Sequence, residues 1–291
     1  MYKGPRSIIP AGNVYDSATR DRFRAGKKAF YDDPEAFSIE PFKIWENLYY
    51  VGDKLLCMHL VDTGEGLLLI DCGYGHTTHM IERSIEQLGF DCHDLKWIIV
   101  THGHFDHFGS GNVLREKYGC KIYMSRVDTD LIRENPERAL MSYGPHPMEM
   151  CWPDETIEDG QVLTFGNLQV RCVLAPGHTY GVMALFFEVG GKMAGTWGGT
   201  GMTSLHGQWC RDLGLPAKKA DAMLDSVKKL RGEKVEINLG NHPPQNCTLE
   251  KRQWMLEHPG ENPFLGEEDW QIMLDQVEEQ IMDLIRKGYD K

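Results

Sequence analysis

The sequence predicts an α/β fold, an αββα sandwich in which two mixed β-sheets lie face to face with helices on the outer faces. Three observations lead there. The 291 residues are 41% hydrophobic and 25% charged, enough apolar material for one large core. Short β-rich runs punctuated by turn residues occur in two groups, near 42–70 and 161–197. Between and after those groups, strands alternate with helical periodicity. A meander, an alternating stretch, a second meander and an α–β–α tail suit two packed sheets covered by helices.

Taken in order, residues 1–40 mix charge with Gly and Pro and read as an N-terminal extension with a short helix near 17–31. FKIW, LYYV, LLCMHLV and GLLLID, separated by ENL, GDK and DTGEG, read as an antiparallel meander. Met80, Ile81, Ile85 and Leu88 recur at helical spacing within 76–90. LKWIIVT (95–101) is a buried strand, 109–119 a helix ending at Gly119, KIYM a strand and 126–135 a helix. Residues 136–155 form a long loop, of the kind that often carries function. QVLTF, LQVRCVLA, VMALFFEV and KMAGTW are strands, and 198–216 is a second long loop. A helix over 217–232 and the strand VEINLG follow. Trp270, Met273, Val277, Ile281 and Leu284 make one stripe of a C-terminal helix, which packs on the domain's own sheet rather than on another copy. The organisation is therefore an extension (1–40), a main domain (41–262) and a C-terminal helix (263–291).

The net charge of −12 argues against a nucleic-acid backbone as partner. No run of 18 apolar residues occurs, so no membrane span is expected. The N-terminal stretch lacks a secretory signal, which points to the cytoplasm if Met1 is the native start, and to the periplasm or the medium if a signal was removed. The eight cysteines are scattered without a CxxC and read as buried hydrophobes in a reducing compartment.

Chemistry concentrates at THGHFDH. His102, His104, Asp106 and His107 directly follow the apolar run WIIV. Imidazole and carboxylate together suit zinc, and also iron or manganese. His102 and His104 share one side of an extended segment, while Asp106 and His107 turn toward a second point. One segment can thus serve two neighbouring ions that need further ligands. His178, after LQVRCVLA, and His242, after VEINL, are the candidates, both at strand ends. His59, His76, His79, His93, His146, His206 and His258 read as structural or solvent-exposed, with His206 the one that reaches toward the pocket. Phe108, Ser110, Tyr74, Trp152, Trp197 and Met202 lie where pocket walls would be, with local packing the equal alternative. Gly198, Gly199 and Gly201 suggest a mobile or tightly turning loop beside the site.

From about 42 to 260 the chain resembles the metallo-β-lactamase superfamily. Asp71 in LLLIDCG, the THGHFDH run, His178 in PGHT and His242 match its motifs in order. One feature departs. Most hydrolytic members carry an Asp that bridges both metals, and here that position falls at or next to Thr196, with no Asp, Glu or Cys from Gly190 to Trp209. The loss is similar to one subclass of class B β-lactamases, which 153–179 also resembles. By that resemblance His102, His104 and His178 hold a first zinc, and Asp106, His107 and His242 a second. Asp71 would steady a ligand histidine by accepting its other N–H, and otherwise is a strand-end turn carboxylate. Thr196 could hydrogen-bond a ligand or a water.

The resemblance implies two Zn2+ ions, with iron or manganese as alternatives. It implies a hydroxide held between them that attacks the carbonyl of a cyclic amide, with Asp106 orienting the nucleophile or taking its proton. A lactone, ester or thioester hydrolase is the alternative on the same scaffold. An iron-dependent redox member is disfavoured, because the di-iron oxygen reductases carry Glu where His104 stands. The absence of a signal weighs against a dedicated resistance enzyme. The expected partner is a small-molecule substrate, with no nucleic acid and no membrane, and a homo-oligomer stays open.

Overall fold

The computed structural model describes residues 2–7, 27–141, 149–216 and 220–291. Twelve strands among these residues build two sheets. The first contains β1 (Phe42–Trp45), β2 (Leu48–Tyr50), β3 (His59–Asp62), β4 (Leu67–Ile70), β5 (Leu95–Ile99), β6 (Lys121–Ser125) and β7 (Glu155–Ile157), in sequence order. It is antiparallel from β1 to β4 and parallel from β4 to β7. The second contains β8 (Val162–Phe165), β9 (Leu168–Leu174), β10 (Met183–Val189), β11 (Lys192–Trp197) and β12 (Ile237–Leu239). Its β8–β11 pairs are antiparallel, and β12 adds to β11 in parallel.

Side chains alternate along a strand with period two, and here the alternation divides them between separate cores. Leu68 and Ile70 of β4 meet Leu185 and Phe187 of β10 between the sheets. Leu67 and Leu69 point the other way, toward Ile81 and Ile85 of the helix Thr78–Gln87. Ala184 and Phe186 of β10 face Met223 and Val227 of the helix Ala220–Leu230 and Trp270, Met273 and Val277 of the helix Asp269–Arg286. Two sheets with helices on both outer faces result, as the sequence predicts. The C-terminal stripe is wholly buried against its own chain. A buried ion pair fastens that helix: Lys251 Nζ lies 2.6 Å from Asp269, and both side chains are fully inaccessible.

Several expectations need correction. LLCMHLV becomes strand only from His59, because Val51, Asp53 and Cys57 spend their amides on Met58, Leu56 and Asn241 carbonyls in an irregular turn. The second long loop contains the helix Gly207–Asp212. Residues after His242 form the helices Pro243–Asn246 and Thr248–Glu257, which the sequence reading missed. Of the helix expected near 17–31, residues 27–32 are helical and 8–26 lie outside the described residues, as do His146 and residues 217–219. All eight cysteines are buried, and none is in a disulfide. No described helix is long and apolar enough to cross a membrane.

Candidate metal centre

The candidate residues sit beyond the ends of β4, β5, β9 and β12, at one edge of the sandwich. After β5 the chain runs irregularly through His102 and His104, then makes the short helix Phe105–Phe108. The turn aims Asp106 and His107 away from the first two histidines. His102, His104, Asp106 and His107 are all buried, a costly place for so many polar groups without partners.

Two triads form. One ligating atom from each of His102, His104 and His178 lies within 4.8 Å of the others, and the same holds for Asp106, His107 and His242. The triads adjoin, with the rings of His102 and His107 4.1 Å apart between centroids. Asp106 lies 3.9 Å from His107 Nε2 and 4.0 Å from His242 Nε2. All six residues are thus brought together, although they come from three separate stretches of chain.

The outward nitrogens are accounted for. His107 Nδ1 donates to Asp71 Oδ2 at 2.8 Å, His178 Nδ1 to the Gly201 carbonyl at 2.9 Å and His242 Nδ1 to the Leu55 carbonyl at 2.7 Å. Each such bond fixes the tautomer and leaves Nε2 with its lone pair. His107 Nε2 is buried without a hydrogen-bond partner, as a position reserved for a cation would be. This donor set, three imidazoles beside a carboxylate with two imidazoles, suits zinc.

Electrostatics agree. Burial, reinforced by the imidazoles of His107, His104, His178 and His242, holds the His102 pKa well below the ordinary range, so it stays a neutral donor. Burial pushes the Asp106 carboxyl up, but His107, Lys27, His242 and His104 together pull it well below a usual carboxylate. At His107 burial works downward and is outweighed by Asp71 and Asp106, leaving the pKa raised.

Asp71 adopts a left-handed backbone, φ 58°, just after β4. Besides His107 it accepts from the Thr101 amide at 2.7 Å and the Thr101 hydroxyl at 2.8 Å. Asp128 ties the ligand loops together: it accepts from Gly103 N at 2.8 Å, Thr179 Oγ1 at 2.7 Å and Gly181 N at 2.7 Å. The glycine loop is packed tightly. A Cβ on Gly199 would come within 2.9 Å of the His178 ring, so only glycine lets the loop close over that ligand. Thr196 is buried within β11, paired with Leu185 and Leu239, and among the described residues its hydroxyl has no hydrogen bond to any of the six.

The expected pocket walls are mostly core. Tyr74 and Phe108 pack under the first sheet, Trp197 and Met202 under the second, and the Ser110 hydroxyl is spent on the Tyr74 carbonyl. Trp152 packs beside Arg133. His206 stacks on Tyr289 instead of reaching the site. Three neighbours escaped the sequence reading: Lys27, whose ammonium lies 4.7 Å from the Phe105 ring centre, Asp128, and Arg138 in a cleft beside His104. No motif marks any of them; an isolated charge in a polar stretch gives no signal.

Residues 58–191 match the metallo-beta-lactamase superfamily. A hydroxyacylglutathione hydrolase of Haemophilus influenzae is 31% identical over 141 residues, 48% of this chain and 64% of that protein. A probable polyketide biosynthesis zinc-dependent hydrolase of Bacillus subtilis is 27% identical over 140 residues, 48% of this chain and 52% of that protein. An uncharacterised protein of Aquifex aeolicus is 35% identical over 92 residues, 31% of this chain and 43% of that protein. The chain therefore spans less than two thirds of these curated relatives. Among solved structures, the native FEZ-1 metallo-beta-lactamase from Legionella gormanii superposes with a TM-score of 0.77 at 24% identity, covering 86% of this chain and 97% of that one. A subclass B3 metallo-beta-lactamase of Bradyrhizobium japonicum gives 0.73 at 24% identity, covering 86% and 95%. These two likenesses are of fold.

Proposed function

From the match of residues 58–191 to the metallo-beta-lactamase superfamily, we propose that the chain is a dinuclear zinc-dependent hydrolase acting on the carbonyl of a cyclic amide. The observation that carries this reading is the convergence of six side chains into two adjoining triads. His102, His104 and His178 would hold one ion, and Asp106, His107 and His242 the other. In this reading 41–262 form the catalytic unit and the C-terminal helix is its outer layer.

Zinc bound there would supply a water nucleophile ionised near neutral pH and a Lewis acid for the carbonyl oxygen. The chain's residues do the rest. Asp71, Gly201 and Leu55 fix three imidazoles in the ligating tautomer. Asp106, kept ionised, would bind the second ion and orient the nucleophile by accepting a hydrogen bond from it. A zinc ion held by Asp106, His107 and His242 would supply the positive charge that the departing anion needs.

A second reading is hydrolysis of a lactone, ester or thioester. It is favoured by the hydroxyacylglutathione hydrolase among the relatives. The test is metal analysis of protein purified without added metal, followed by nitrocefin, carbapenem, lactone and thioester assays with and without chelator. Two zinc ions per chain and chelator-sensitive β-lactam turnover are expected. Lactone or thioester turnover without β-lactam turnover selects the second reading, and iron or manganese in place of zinc corrects the metal.

A further inference from the structure

A narrow cleft leads from His104 to the helical turn Pro136–Ala139, walled by Ile132, Tyr180 and Trp209. Its free space is about 20 Å³. That admits a water or a carboxylate oxygen but no ring. Arg138 lines it.

Arg138 is unusual in this chain. Acidic residues outnumber Lys and Arg by 43 to 31, so cations should find partners easily. Every other described arginine does: Arg83 holds Glu35, Arg115 Asp154, Arg171 Glu233 and Arg231 Asp275, for example. Among the described residues the Arg138 guanidinium has neither an ion pair nor a hydrogen bond, and its Nε is buried with no acceptor. The carboxylate in the same wall, Asp128, is committed to Gly103, Thr179 and Gly181. A guanidinium stays charged at any relevant pH. The guanidinium carbon lies 6.0 Å from the Tyr180 ring centre, so the cleft holds a permanent cation that has an aromatic neighbour but no counter-charge and no acceptor, beside a candidate metal ligand.

We propose that Arg138 is a specificity determinant that receives a carboxylate on the acyl half of the substrate. The inference rests on the hydrolase reading above. There the departing anion leaves on the side of Asp106, His107 and His242, so the acyl half lies on the side of His104 and His178, where the cleft opens. The planar guanidinium fork matches a carboxylate, and the small free space excludes larger anions. The preferred substrate is then the ester, thioester or amide of a dicarboxylic acid, with one carboxyl activated and the other free.

The test holds the leaving group constant and varies the acyl group: succinyl against butyryl thioesters of N-acetylcysteamine, with wild type, Arg138→Gln and Arg138→Lys. Wild type is expected to prefer succinyl. In Arg138→Gln the preference falls roughly 30-fold, through KM, and Arg138→Lys restores part of it. Calorimetric titration of the metal-free protein with succinate gives a second readout, with affinity expected to fall by a similar factor in Arg138→Gln. An unchanged succinyl-to-butyryl ratio overturns the proposal. If wild type cleaves neither thioester, the thioester reading fails and the succinate titration decides: equal affinity in wild type and Arg138→Gln overturns the role of Arg138, while loss in the variant upholds it.

Discussion

Asp71 Oδ2 accepts a hydrogen bond from His107 Nδ1 at 2.8 Å, and the same carboxylate holds the Thr101 amide and hydroxyl. One side chain thus steers a candidate ligand and pins the start of the segment that bears three more. Asp71→Asn keeps the shape and removes the charge. Zinc affinity of the triad containing His107 should drop about 10–100-fold, with the three-histidine triad much less affected. Stepwise zinc titration against a chromophoric chelator resolves the two sites.

The two triads share no residue, so they should empty separately. His178→Ala and His242→Ala are each expected to retain a single ion where wild type keeps a pair, measured by plasma emission spectrometry after dialysis. Turnover should fall in both. Retention of both ions in either variant would remove that histidine from the ligand set.

His59 lies inside β3, buried, with Nε2 unpartnered. Burial lowers its pKa from 6.5 to about 3. Between those values the unfolded chain binds a proton that the folded protein refuses, so stability rises with pH across the window and is lost as pH falls from 6.5 toward 3. The full effect is on the order of a few kcal/mol. His59→Phe should flatten that acid limb in urea melts of the metal-free protein at pH 4–7.

Lys251 and Asp269 are a fully buried pair, 2.6 Å apart, with Arg6 also donating to Asp269. Asp269→Leu strands the buried Lys251 ammonium and should cost about 3–5 kcal/mol, and a further Lys251→Met change should restore part of it. Denaturant midpoints of the two variants provide the comparison.

The site was legible because its residues stand in tight sequence clusters or directly after strong strand signals. His102, His104, Asp106 and His107 occupy six positions behind WIIV, and Asp71, His178 and His242 each follow an apolar run. The helix Thr248–Glu257 was not legible because it has no apolar stripe; its buried residues are Thr248 and Lys251. Gly207–Asp212 is too short for periodicity to register. Arg138 and Asp128 take their meaning from what lies across the fold, Thr179 and Tyr180 some forty to fifty residues downstream, which no local pattern encodes.

Asp128 reaches Gly103, between two candidate ligands, and Thr179 and Gly181, just after a third. A single buried carboxylate therefore mortises two distant loops before any ion arrives. The entropy of assembling the three-histidine cup is settled while the polypeptide folds, and capture of the cation need not organise it. Stripping the ion should accordingly leave a socket that refills at once, with the cup's amide protons as sheltered from exchange as they were beforehand.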